Sequence, residues 1–324
     1  MIDDDITAAA IEQGQRMAEE ILARRAVLRA RRTELLATHP KRLELNVRVE
    51  NMAGPVANTT SQTAGFLLAM GDSWFDYPAT LIFCDDVLQH LEHDHGYNVE
   101  STAHHGDPIE TMAYSLAGQL YRFSGCLDKV LAQGATPKAV LLSGGGDDIA
   151  GKEFGMLLNS ALSPVAGWNP EIIQGLIDQR IVTAYSRILT GITVLCKQRM
   201  GTEDPIPILV HGYDYPVPDG RGYWGGWPFP GPWLQPGFRE KLFSDLLKNV
   251  ALMHDIIDKF NDMLTELEKT FANVHYVNLR NTLSVDLKDD IYQAWWSNEL
   301  HPTDNGFGLV AECDALGRGK RISR

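Results

Sequence analysis

Five short runs that read as strands, at 65–70, 98–103, 138–143, 206–211 and 274–279, most constrain what this chain can fold into. Those at 65–70 and 138–143 carry continuous apolar stretches ended by turn-forming residues, which read as strands buried on both faces. Between them lie segments with helical spacing. Leu81, Val87, Leu88 and Leu91 predict a helix over 80–93, and further helices are predicted over 109–133 and in a long stretch ending near residue 200. The clearest covers 238–271, where Leu242, Leu246, Val250, Met253, Ile257 and Phe260 recur at three and four. A last helix follows Thr303. Strands alternating with helices imply parallel order and right-handed crossovers. The predicted fold is therefore an α/β protein, a three-layer α/β/α sandwich around a mainly parallel five-stranded sheet.

Residues 4–37 stand apart from that alternation, being rich in Ala, Glu, Arg and Leu, with no Pro and a single Gly. They predict a helix. Met17, Ile21, Leu28 and Leu35 share one face, which Arg24 and Arg31 interrupt, so a strong coiled coil is not expected. The helix is expected to pack on the body or on a partner chain, which makes it a route to a homo-oligomer. After Pro40 the chain turns polar. We place a helical extension and linker at 1–64, the main domain at 65–316 and a basic tail at 317–324.

A net charge of -13 argues against a general affinity for nucleic acid, which needs clustered Lys and Arg. No segment approaches the ~20 apolar residues of a membrane span. The first residues include three aspartates and no apolar core, unlike a signal peptide. Cys84, Cys126, Cys196 and Cys313 are widely spaced, with no metal-ligand pair among them, as expected of free thiols in a reducing compartment. A cytoplasmic protein with no cofactor and no metal is expected.

Four turns carry groups able to do chemistry, each at a strand end or before a helix. They are Gly71-Asp72-Ser73, His104-His105-Gly106-Asp107, Gly144-Gly145-Gly146-Asp147-Asp148 and His301-Pro302-Thr303. In a parallel sheet such turns can converge on one edge, bringing together a nucleophile, backbone donors and an imidazole. His104 and His105 read as turn or wall residues rather than a second base. His93 and His95 read as solvated rather than metal-binding. A fifth feature is the loop between His211 and Phe238, with seven Gly, six Pro and seven aromatics, among them Trp224, Trp227 and Trp233. Loops this long inside a compact domain are usually functional, and this one reads as the wall or lid of a pocket.

With these blocks in this order, the chain resembles the GDSL, or SGNH, hydrolases over roughly 65–316. The resemblance implies a flavodoxin-like sandwich in which Ser73 is the nucleophile and His301 the base. It implies an oxyanion hole built from the backbone N–H groups of Ser73 and Gly106 and a side-chain donor from the third block. Two positions depart from the family pattern. Asp147 stands where the family has its Asn donor, and an ionised carboxylate cannot donate a hydrogen bond. It would serve if burial beside Asp148 kept it protonated. Asn298 stands where the family usually has the triad Asp, so it can orient the imidazole but brings no charge. Glu299, Asp304 or a backbone carbonyl are alternatives for that role. The expected activity is carboxylic-ester hydrolysis on a small-molecule, glycan or lipid ester, with Trp224, Trp227 and Trp233 shaping the substrate side. Two other readings are a binding or scaffold protein on a decayed hydrolase fold, and an acyltransferase sharing the serine chemistry.

Overall fold

A computed structural model describes residues 4–38, 63–78, 84–115, 118–151 and 153–316. The expected linker and basic tail fall largely outside these residues.

The central sheet is built from β1 (Gly65–Met70), β2 (Tyr97–Ser101), β3 (Pro137–Leu142), β6 (Ile208–His211) and β7 (Val274–Val277), all parallel, in the order β2-β1-β3-β6-β7. Two further described strands, β4 (Leu158–Asn159) and β5 (Gly167–Trp168), form a small antiparallel ribbon. Continuous apolar runs make the inner strands because both sheet faces are covered, and Leu67 to Met70 and Ala139 to Leu142 are buried throughout. The chain begins the sheet at β1, steps to β2 on one side and then to β3 on the other. That reversal opens a crevice outside the carboxyl ends of β1 and β3, where open α/β sheets hold ligands. Ser73 follows β1, and the glycine-rich block follows β3.

Helices flank the sheet, and their ends show where periodicity misleads. Of the helix expected over 80–93, residues 80–83 lie outside the described residues, and α2 spans Val87–His93. Asp86 caps it by accepting from Gln89 N, and the Gln89 side chain returns the bond to Asp86 N. The expected helix over 109–133 divides into α3 (Ile109–Tyr114) and α4 (Gln119–Ala132). The predicted stripe over 238–271 also divides, into α8 (Gln235–Glu240) and α9 (Leu246–Thr270). Leu242, with φ +66°, leaves the stripe, and Asp245 starts α9 by accepting from Leu247 N and Lys248 N. Before them come α5 (Gly146–Ile149), α6 (Pro170–Gln174) with a π-helical turn over Gly175–Ile181, and α7 (Val182–Met200); α10 (Asp304–Leu316) closes the fold.

The first helix, α1 (Asp4–Thr38), lies along α7. Ala10, Ala18 and Ile21 are buried there, whereas Leu28 and Leu35 are exposed. The crossing is close at Gly14, where a Cβ would stand 2.6 Å from the Arg187 carbonyl oxygen. Asp128 of α4 fastens the helix by accepting from Arg25 at 2.6 Å while also taking Arg199 of α7. None of the four cysteines is in a disulfide. Among the described residues no helix is long and apolar enough to cross a membrane.

Candidate active site

The four sequence blocks meet at the crevice, and specific hydrogen bonds join them. Buried Gln119 accepts from Gly71 N at 2.9 Å and donates to Gly71 O at 2.7 Å and Asp107 Oδ2 at 2.9 Å, tying the first block to the second. His104 N also donates to Gly71 O, at 3.0 Å. The third block is joined by Ile109 N, which donates to Asp148 Oδ2 at 2.7 Å, and by Ser143 Oγ, which donates to Asp72 Oδ1 at 2.8 Å. The fourth is joined by Trp74 Nε1, which donates to Leu300 O at 3.1 Å.

Asp72 supports the turn that carries Ser73. Its buried carboxylate accepts from Trp74 N at 3.0 Å, from Ser143 Oγ and from the Tyr213 hydroxyl. These bonds fix the backbone on either side of Ser73. Ser73 itself stays partly open, with its Oγ 2.7 Å from His301 Nε2.

His301 sits in a tight turn closed by Ser297 N donating to His301 O at 2.9 Å. Its Nδ1 lies 2.9 Å from Asn298 Oδ1, which also accepts from the backbone N–H of Leu300 and of His301, each at 3.0 Å. Those two groups can only donate, so the Asn298 atom that faces them is the oxygen. Nδ1 must then carry the imidazole proton, and Nε2 turns its lone pair to Ser73. Rings of Tyr77 and Trp233 pack against the imidazole, with centroids 5.0 Å and 5.5 Å away. Burial first, and then the nearby His105, push His301 down to about 3, since both disfavour the charged form.

Glu299 does not orient the histidine. Its buried carboxylate accepts from four backbone N–H groups: Gly220 at 2.9 Å, Trp233 at 2.6 Å, Leu234 at 2.8 Å and Gln235 at 2.9 Å. It thereby closes the neck of the aromatic loop. Asp304 is also turned elsewhere, accepting from Asp85 N at 2.8 Å.

Gly106 lies at an exposed turn with φ +77°, a conformation that favours glycine. Among the described residues neither its N–H nor that of Ser73 has an intramolecular acceptor. Gly145, with φ +99°, could not carry a side chain, since a Cβ would stand 2.6 Å from the Phe260 ring. Asp147 lines the same cavity as Ser73 and His301. Burial, together with Asp72, Asp148 and Asp107, raises it to about 7. Near neutrality it therefore exists in part as the acid, which can donate.

The three tryptophans separate. Trp233 touches His301. Trp224 stacks with Tyr223 and lines another hollow, beside Arg221 and Thr303. Trp227 is 94% exposed. Asp76, His104 and His105 form a group among the described residues whose ligand atoms lie within 4.8 Å of one another, a spacing that could hold a metal. Both histidines are exposed, and His105 is already engaged by Asp76 through its Nδ1 at 2.9 Å.

Sequence reasoning missed the Glu299 clamp, and it read Asp72 as a hydrogen-bonding partner of the neighbouring turns without finding Ser143 or Tyr213. Neither set of partners has a local signal, because the partners of Glu299 lie 64 to 79 residues away and those of Asp72 include Tyr213, 141 residues away.

No family model matches the chain, and no curated protein sequence matches it. Solved structures similar to it include the lipase Lip_vut3 from a goat rumen metagenome, at 14% identity and a TM-score of 0.46, covering 79% of this chain and 98% of that one. A catalytic mutant of Axe2, an acetylxylan esterase from Geobacillus stearothermophilus, has 14% identity and a TM-score of 0.42, covering 81% and 97%. A member of the lipolytic protein G-D-S-L family from Veillonella parvula has 12% identity and a TM-score of 0.41, covering 79% and 99%. In its parallel three-layer α/β/α architecture and in the order of its four blocks, the chain resembles the GDSL/SGNH hydrolases.

Proposed function

We propose that the protein is a serine carboxylic-ester hydrolase of the SGNH type. The observation that carries this reading is the relay Ser73 Oγ–His301 Nε2–Asn298 Oδ1, at 2.7 Å and 2.9 Å. A serine hydroxyl becomes a useful nucleophile only when a positioned base takes its proton. His301 is that base, and its tautomer is already the productive one.

In the reaction Ser73 Oγ attacks the ester carbonyl as its proton passes to His301 Nε2. The negative charge on the carbonyl oxygen is met by the free N–H groups of Ser73 and Gly106 and by the acid form of Asp147. The imidazolium then protonates the departing alcohol, leaving an acyl group on Ser73. Water, deprotonated by the same imidazole, releases the acid. Asn298 keeps the ring aligned throughout but lends no charge to the imidazolium.

A fluorophosphonate probe applied to wild type and to Ser73→Ala tests the reading. Labelling and ester hydrolysis that vanish together in Ser73→Ala are expected. No Ser73-dependent labelling between about pH 5 and 9, a range set by the pKa values of possible bases, would favour a binding protein instead.

A further inference from the structure

Resting on that reading, we infer that the acyl group accepted by Ser73 is short, an acetyl or propionyl group. The cavity beside Ser73 and His301 is apolar and small, offering about 50 Å³ to the centres of water-sized groups. Three other hollows offer about 600–640 Å³ on the same measure, so this cavity has room for a short group only. An acetyl or propionyl group fits within that, and an octanoyl chain does not.

The walls explain why the limit holds. Leu234, Met253, Ile257, Trp296 and Leu300 form the apolar lining, and the first four are buried. Met253 and Ile257 are one turn apart on α9, presenting side chains to the same space. Trp296 is completely buried and ring-packed against Trp74, the residue after the nucleophile. Interiors packed to this degree do not open to admit several methylenes. The departing alcohol must reach His301 Nε2 and then leave, so a pocket walled by buried side chains suits the acyl part better than the alcohol.

The test is a series of p-nitrophenyl esters with one leaving group and acyl chains from acetate to octanoate, with Ser73→Ala as background. The expected kcat/KM is highest for acetate or propionate, about tenfold or more lower by the next chain lengths, as pockets discriminate methylenes, and at background for octanoate. Ile257→Ala, which removes wall atoms, should raise the butyrate-to-acetate ratio by about tenfold. Ser73-dependent hydrolysis of octanoate as fast as acetate by wild type overturns the inference while leaving the serine hydrolase standing. Absence of Ser73-dependent hydrolysis at every chain length overturns both. The wild-type series decides even where Ile257→Ala fails to fold.

Discussion

Asn298 faces the Nδ1 of His301 at 2.9 Å with an oxygen whose other partners are two backbone N–H groups. In a serine protease, Asn in place of the orienting Asp costs about 10⁴ in rate because the imidazole takes the wrong tautomer. That cost does not transfer here, since the pinned oxygen enforces the right tautomer and only the negative charge is missing. Asn298→Asp should supply it, lifting His301 from its present value of about 3. A carboxylate at this range raises a neighbouring base by about 1–3 units. The acid limb of the kcat/KM profile should move up by that amount, and an unmoved limb would show that the added charge is not felt. Asn298→Ala should lower kcat by about 10² or more at all pH, through loss of alignment.

On the proposed mechanism, Asp147 sets the opposite limb. Its carboxyl sits at about 7, above the ordinary value, so the donating acid form is lost as pH rises through that region. Hydrolysis should therefore fall on the alkaline side of neutrality. Asp147→Asn, a donor at every pH, should abolish that fall and exceed wild type at pH 9 by about 10- to 100-fold, within the worth of one oxyanion donor. Near pH 5 the two should be close. Parallel profiles for the two proteins would remove Asp147 from the oxyanion site.

Glu299→Gln should destabilise the fold by about 2–4 kcal/mol, because an amide leaves two of the four converging N–H groups facing another donor. A lower melting temperature and slower Ser73 labelling are expected together, since Trp233 packs on His301 from the loop that Glu299 closes. A stable variant with unchanged labelling would show that the loop holds itself.

At the crossing of α1 and α7, Gly14→Leu should cost about 1–3 kcal/mol or more, because the added carbons meet the Arg187 backbone carbonyl and not a flexible side chain. Leu28→Ala, on the exposed half of the same helix, should stay within about 0.5 kcal/mol. Chemical denaturation of both variants makes the comparison. Equal effects would mean that α1 does not seat on the body through its first half.

The strands and the four chemical blocks are legible in the sequence because each depends on local pattern: an apolar run, a turn, a glycine. Ser73 and His301, 228 residues apart, are placed by the parallel sheet and then meet at 2.7 Å. Helix boundaries are less legible. Asp245 outweighs the apolar period on either side of it, since a cap satisfies backbone donors that periodicity ignores. The role of Glu299 is not legible at all. It stands next to Asn298 and looks like a spare orienting carboxylate, yet its burial makes sense only against amides from a distant loop. The tryptophans divide for the same reason, Trp233 lying at the clamped neck and Trp227 at the free tip.

The Glu299 carboxylate reads only main chain: its four partners are backbone amides, contributed by residues 220 and 233–235. Side chains farther out, from Gly222 to Pro232, take no part in that fastening. The exposed tip of the segment, Trp227 above all, can thus vary without disturbing the Glu299 clamp, whereas buried Tyr223 packs on Tyr77 and donates to Pro78 O, a second anchor beside the histidine.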